Sequence, residues 1–152
     1  MVLEPGDAAP KISEPNQDGE SVTPDWTGVS VVYFYPEDAT SGCTVEANQF
    51  QAELDSYRAA GVTVYGVSID DVGSHAEFAR AEGLAFDLLA DPDEEVAAAF
   101  DVDTSRGVTS RTTFAVVDGR VQAVYDGVDH DGHARSVLED LLDTGIVTLN
   151  DP

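Results

Sequence analysis

One cysteine, Cys43, stands in this chain, and the residues around it have the types a nucleophile needs. An apolar run, Val29 to Tyr35, leads toward it and reads as a buried strand of β-branched and aromatic residues. Pro36 stops the ladder because it has no N–H to donate. Behind the cysteine, Val45, Ala47, Phe50, Leu54 and Tyr57 recur three or four residues apart, a helical period. Cys43 therefore falls where a strand has ended and a helix begins. A helix start offers unpaired backbone N–H groups and a partial positive charge, which favour thiolate over thiol.

Nucleophilic attack by a thiolate needs an ionised sulfur, an aligned substrate and donors for the departing group. Glu37, Asp38 and Glu46 lie close in sequence and oppose a second negative charge, so a cation must offset them. The stretch Thr104 to Val117 holds Arg106 and Arg111 and no acid. Thr40 brings a hydroxyl that both donates and accepts, and its position also suits an N-cap for the Cys43 helix.

Pro36, Thr40 and Cys43 stand in the Pro-x-x-x-Thr-x-x-Cys spacing, and the chain resembles the peroxiredoxins. The run Tyr-Phe-Tyr-Pro-Glu-Asp-Ala-Thr-Ser-Gly-Cys-Thr-Val-Glu-Ala is similar to their bacterioferritin comigratory protein, or Q-type, subgroup. The likeness extends over roughly residues 5 to 142. It implies a thiol-dependent peroxidase that acts on hydrogen peroxide and organic hydroperoxides through a sulfenic acid, with no metal or other cofactor. Arg111, in Arg-Thr-Thr-Phe, matches the arginine that faces the cysteine from a neighbouring strand; Arg106 has no such match and reads as a loop charge. The resemblance gives Pro36 the part of shielding the sulfur, and the N–H groups of Gly42 and Cys43 would complete an oxyanion-type site. Glu46 matches a position that orients the arginine, although a solvated helix acid is an equally simple reading.

One departure matters. Many members of the subgroup carry a second, resolving cysteine five residues after the first, where this chain has Asn48. Recycling would then fall to an external thiol, either a low-molecular-weight thiol or a thioredoxin-like protein. The alternative is a non-catalytic thiol sensor of peroxide that acts through a partner protein. A Cys–His hydrolase pairing Cys43 with His75 is a weaker reading, because Ser74, His75 and Phe78 match a structural helix of the peroxiredoxins. His130 and His133 read as a solvated loop and cap. The same loop fails as a calcium site, with Gly127 and Leu138 at its first and twelfth positions.

The positioning elements follow from pattern. A helix is predicted over about 43–60, closed by Gly61, and a strand over 62–69. A helix over 74–82 follows, with Ser74 and Glu77 in capping-box spacing and Gly83 at its end. A short strand over 84–89 stops at Asp91-Pro92, and a short helix covers 93–100. Two strands, 112–117 and 121–126, are joined by Asp118-Gly119-Arg120, a hairpin signal, and a last helix spans 134–142. Strand–helix alternation ending in a hairpin is the α/β thioredoxin-like plan: a central mixed sheet of about five strands flanked by helices.

At 152 residues and 42% hydrophobic, the sequence reads as a single folded domain over 1–152. No apolar run approaches the roughly 18 residues of a membrane span, and no signal peptide is legible. With a lone cysteine, these features point to a reducing cytoplasm. A net charge of −23, from 30 acidic against 7 basic residues, argues against nucleic acid or an anionic membrane as partner. The acids are interspersed with apolar periods, which suits a surface adapted to molar salt, where the Debye length is about 3 Å. Monomer and homodimer are both compatible with the sequence.

Overall fold

The apolar run after Gly28 forms the central strand, β3 (Val29–Phe34), of a computed structural model that describes residues 3–126 and 131–147. Two short strands precede it, β1 (Glu14–Pro15) and β2 (Ser21–Val22), paired antiparallel across the Asp18-Gly19 turn. β3 lies parallel to β4 (Val62–Ser68) on one side. On the other it is antiparallel to β6 (Thr112–Val117). With β5 (Asp87–Ala90) and β7 (Arg120–Asp126) at the edges, the sheet order is β5-β4-β3-β6-β7.

Side chains alternate across a strand, and both faces of β3 are covered, which explains its unbroken apolar sequence. Val31, Tyr33 and Tyr35 pack with α1 (Ser41–Ala52), α2 (Leu54–Ala59), α3 (Val72–Glu82) and α5 (His133–Asp143). Val32 and Phe34 face the opposite cluster, with Trp26, Phe114 and α4 (Glu95–Ala99). On the first face Tyr33 stacks on Phe50, with ring centroids 4.3 Å apart. A Cβ on Gly66 would meet Tyr33 Cζ and Leu88 Cδ2, each at 2.9 Å, so this strand position is closed to any larger residue. The hairpin is there, but Asp118 (φ +46°) and Gly119 (φ +86°) alone make its turn, because Arg120, expected in the connection, already pairs with Val117.

Several boundaries differ from the sequence-based expectation. The helix over 43–60 is two helices, α1 starting at Ser41 and α2 following a break at Glu53 (φ −94°, ψ 1°); the offset keeps Leu54 and Tyr57 on the sheet. Asp71, not Ser74, caps α3, its Oδ1 accepting from Ser74 N at 2.8 Å. The strand expected from Leu84 begins only at Asp87. Leu84 N instead closes the helix end on Ala79 O, and Ala85 N donates to the Gln51 side chain. α4 covers only 95–99, with the Asp91 carboxylate accepting from Val96 N and Ala97 N at 2.9 Å each. Among the described residues no helix is long and apolar enough to cross a membrane.

Candidate active site

β3 delivers the chain to a short, strained loop. Tyr35 N still donates to Val67 O, Pro36 cannot extend the ladder, and Ala39 adopts φ +63°, a left-handed conformation unusual for a residue with a Cβ. The chain then enters α1, whose first internal bond runs from Thr44 N to Thr40 O at 2.9 Å. The N–H groups of Ser41, Gly42 and Cys43 therefore have no carbonyl within the helix. Cys43, in this first turn, is only 1% exposed.

Arg111 reaches the sulfur from the residue before β6. Its Nη2 lies 3.5 Å from Cys43 Sγ, and its Nη1 donates to Glu46 Oε1 at 2.6 Å. The Glu46 side chain is fully buried, which rules out the solvated-acid reading and leaves it as the arginine's anchor. Burial pushes its carboxyl up to about 7, against the opposing pull of Arg111. Burial works against the guanidinium's charge too, but Glu46 and then Cys43 outweigh it, so Arg111 stays firmly protonated. A positive charge is thus fixed against the sulfur on a chain otherwise dominated by acids.

Thr40 occupies the N-cap position, yet its hydroxyl makes no capping bond; it donates to Glu37 O at 3.0 Å. With its hydrogen so used, the oxygen's lone pairs remain for an incoming O–H. Pro36 is half-buried and, with Arg111 and Arg106, lines a cavity of ≈ 390 Å³.

Asp38, expected from its place in sequence to oppose charge on the sulfur, has both carboxyl oxygens engaged elsewhere. It turns into a buried network, where Oδ1 accepts from Tyr35 OH at 2.6 Å and Oδ2 from Ser74 Oγ at 2.8 Å. His75 Nδ1 lies 2.7 Å from the same Oδ2, so a proton sits between them, and Nε2 donates to Leu89 O at 3.1 Å. Both ring nitrogens are engaged, which removes His75 from any hydrolytic dyad. Asp38, Asp70 and His75 bring ligand-type atoms within 4.8 Å of one another, but Asp70 Oδ2 already accepts from Asp38 N and Ser68 Oγ. The cluster is knit as a hydrogen-bond network.

His133 also departs from expectation. It is buried at the start of α5, with Nε2 2.8 Å from Thr113 Oγ1 and its ring edge-on to Phe50. Burial, then the nearby Arg111 charge, lowers its pKa to about 4, which keeps it neutral near pH 7. His130 and Gly127 lie outside the described residues.

A thioredoxin-like sheet that presents a recessed cysteine at a helix start, faced by an arginine, defines a peroxiredoxin. The chain belongs to the AhpC/TSA family, whose profile matches residues 5–124. Within that family it stands with the Bcp/PrxQ group of thiol-dependent peroxidases. It is 38% identical over 146 residues to peroxiredoxin Bcp of Escherichia coli K12, covering 90% of this chain and 94% of the relative. A mutant of PrxQ from Xylella fastidiosa superposes with a TM-score of 0.89 at 30% identity, over 95% of this chain and 99% of that one. The Xanthomonas campestris bacterioferritin comigratory protein, described for its alkyl peroxide reduction activity, gives 0.84 at 34% identity, over 95% and 99%.

Proposed function

We infer that this chain is a one-cysteine peroxidase: Cys43 reduces hydrogen peroxide or an organic hydroperoxide, and an external thiol restores it. The observation that carries this reading is the placement of Arg111 Nη2 at 3.5 Å from a recessed sulfur, in a chain with a single cysteine. The thiolate of Cys43 attacks one peroxide oxygen and the O–O bond breaks. The sulfur keeps that oxygen as a sulfenic acid, and the other leaves as water or an alcohol after taking a proton. Arg111 and the free N–H groups of Gly42 and Cys43 stabilise charge on the oxygens as the bond breaks. Thr40 accepts the peroxide O–H and so orients it, Glu46 holds Arg111, and Pro36 limits water around the sulfur. This chemistry calls for no cofactor.

Asn48, where many relatives in the group have the resolving cysteine, donates to Glu82 Oε1 at 3.0 Å and supports recycling from outside the chain. The alternative, a non-catalytic peroxide sensor acting through a partner protein, is not favoured by the likeness to peroxiredoxins. Steady-state assay separates them: with excess peroxide and a small thiol, the enzyme is expected to turn over many times per sulfur. One slow oxidation per chain under those conditions would favour the sensor.

The acidic surface supports adaptation to molar salt; the lone cysteine suits a reducing cytoplasm, and monomer and homodimer are both compatible with the sequence. Self-repulsion among 23 excess negative charges is screened only at high ionic strength. Partial unfolding is therefore expected below a few tenths molar salt, with recovery toward molar concentrations, followed by circular dichroism. Full cooperative stability in dilute buffer would refute the halophilic reading and leave the chemistry untouched.

A further inference from the structure

We propose that the reductant is a small thiol bearing one carboxylate, which enters beside Pro36 and is held by Arg106. The inference rests on the reading that an external thiol recycles Cys43. The cavity of ≈ 390 Å³ is bounded by Pro36, Val108, Ser110, Arg111, Arg106 and Asp103. Its size is that of a small-molecule site of roughly 300–1,000 Å³. It runs from Arg111, the residue against the sulfur, out to Arg106 in the loop before β6.

Arg106 is exposed and, among the described residues, bonds no carboxylate directly, although its charge, after the Ser105 hydrogen bonds, helps hold the neighbouring Asp103 carboxyl below its usual range. Arg111 is tied to Glu46, whereas Arg106 stands beside the same cavity with no bonded acid among the described residues and so presents its guanidinium to it. The stretch Thr104 to Val117 is free of acids. It forms a gap in a surface that otherwise repels anions. Asp103 is the neighbouring acid, and its Oδ1 accepts from Ser105 N at 2.9 Å. Its charge disfavours a dianion but leaves room for one carboxylate on the guanidinium. Pro36 and Val108 offer apolar contact to the short carbon chain between carboxylate and thiol.

The sulfur's recess favours a small reductant over a protein thiol. α1 is tied on one flank by Asn48 to Glu82 and by Ala85 N to Gln51 Oε1 at 2.7 Å. On the other flank Gly132 N donates to Gln49 Oε1 at 2.6 Å. These ties flank α1, and Cys43 in its first turn is 1% exposed, recessed from a thiol on a bulky surface. In the recycling step the small thiol's sulfur bonds to Cys43 Sγ and the S–O bond breaks. Hydroxide leaves as water with the proton of the incoming thiol. A second thiol then releases Cys43 as its thiol, and the two small molecules leave as a disulfide.

The test begins with protein carrying one added oxygen after one equivalent of peroxide. It is mixed with N-acetylcysteine or its neutral methylamide, and mixed-disulfide formation is followed by mass at one fixed salt concentration. The carboxylate-to-amide rate ratio is expected to fall about fivefold in Arg106→Gln, the scale of one exposed ion pair. Arg80→Gln makes the same change of charge away from the cavity and should keep the wild-type ratio. An unchanged ratio in Arg106→Gln, or an equal fall in both variants, would overturn the proposal. So would faster reduction by thioredoxin than by any small thiol. Absence of the one-oxygen adduct at the outset would instead overturn the one-cysteine reading, and this inference with it.

Discussion

An Arg111→Met variant is expected to reduce peroxide about 10²-fold more slowly or worse, the scale for losing a donor to a departing oxygen. Methionine keeps the side chain's bulk and removes both of its bonds, the 3.5 Å contact to Cys43 and the 2.6 Å bond to Glu46. The fold should survive the change. Glu46 already sits at about 7 because burial opposes its charge, and without the guanidinium it rises further and takes a proton. The variant thus loses the cation without burying an unpaired anion, and its rate reports on chemistry rather than collapse. Stopped-flow oxidation by hydrogen peroxide measures it directly. A wild-type rate in this variant would remove Arg111 from the mechanism.

Asp38→Ala is expected to cost about 3–5 kcal/mol of stability, the range for breaking a buried pair by removing one partner. The carboxyl group bonds three groups at once, the buried Tyr35 OH and His75 Nδ1 and the half-buried Ser74 Oγ, and its side chain is 3% exposed against 0% for His75. Alanine leaves the buried Tyr35 and His75 groups without their partner. The network also ties the loop after β3 to α3, because Asp38 N donates to Asp70 Oδ2 at 2.9 Å. Losing it should therefore loosen the loop that carries Pro36 and Thr40. Denaturant unfolding at constant salt gives the value. A loss under 1 kcal/mol would mean that His75 is held by its bond to Leu89 O and not by Asp38.

Local signals make the candidate site legible in the sequence. The strand into Pro36 and the helical period behind Cys43 are near-neighbour patterns, and they put the sulfur at a helix start as expected. Arg111 was found through its acid-free stretch and its matching motif, because nothing local ties position 111 to position 43. The Asp38–His75 network was missed for the same reason. An aspartate two residues after a proline looks like any loop acid until β4 and α3 are packed beside it. His133 was misread because polar neighbours, Asp131 and Gly132, suggest solvent, while its burial depends on Phe50 and Tyr125 arriving from other elements. Capping went to Asp71 over Ser74 because the Ser74 hydroxyl was drawn to Asp38.

The central claim is that one sulfur does the chemistry and has no partner in its own chain. The mass of the protein after one equivalent of hydrogen peroxide, with and without a thiol trap, tests it most directly. The expected result is a gain of one oxygen on Cys43, no loss of hydrogen in the chain, and conversion to a mixed disulfide when the trap is added. Excess peroxide should carry the sulfur on to sulfinic acid, since no internal thiol competes for the sulfenic acid. Sustained turnover without added reductant, or an oxidised protein that is wholly a Cys43–Cys43 dimer, would contradict the account.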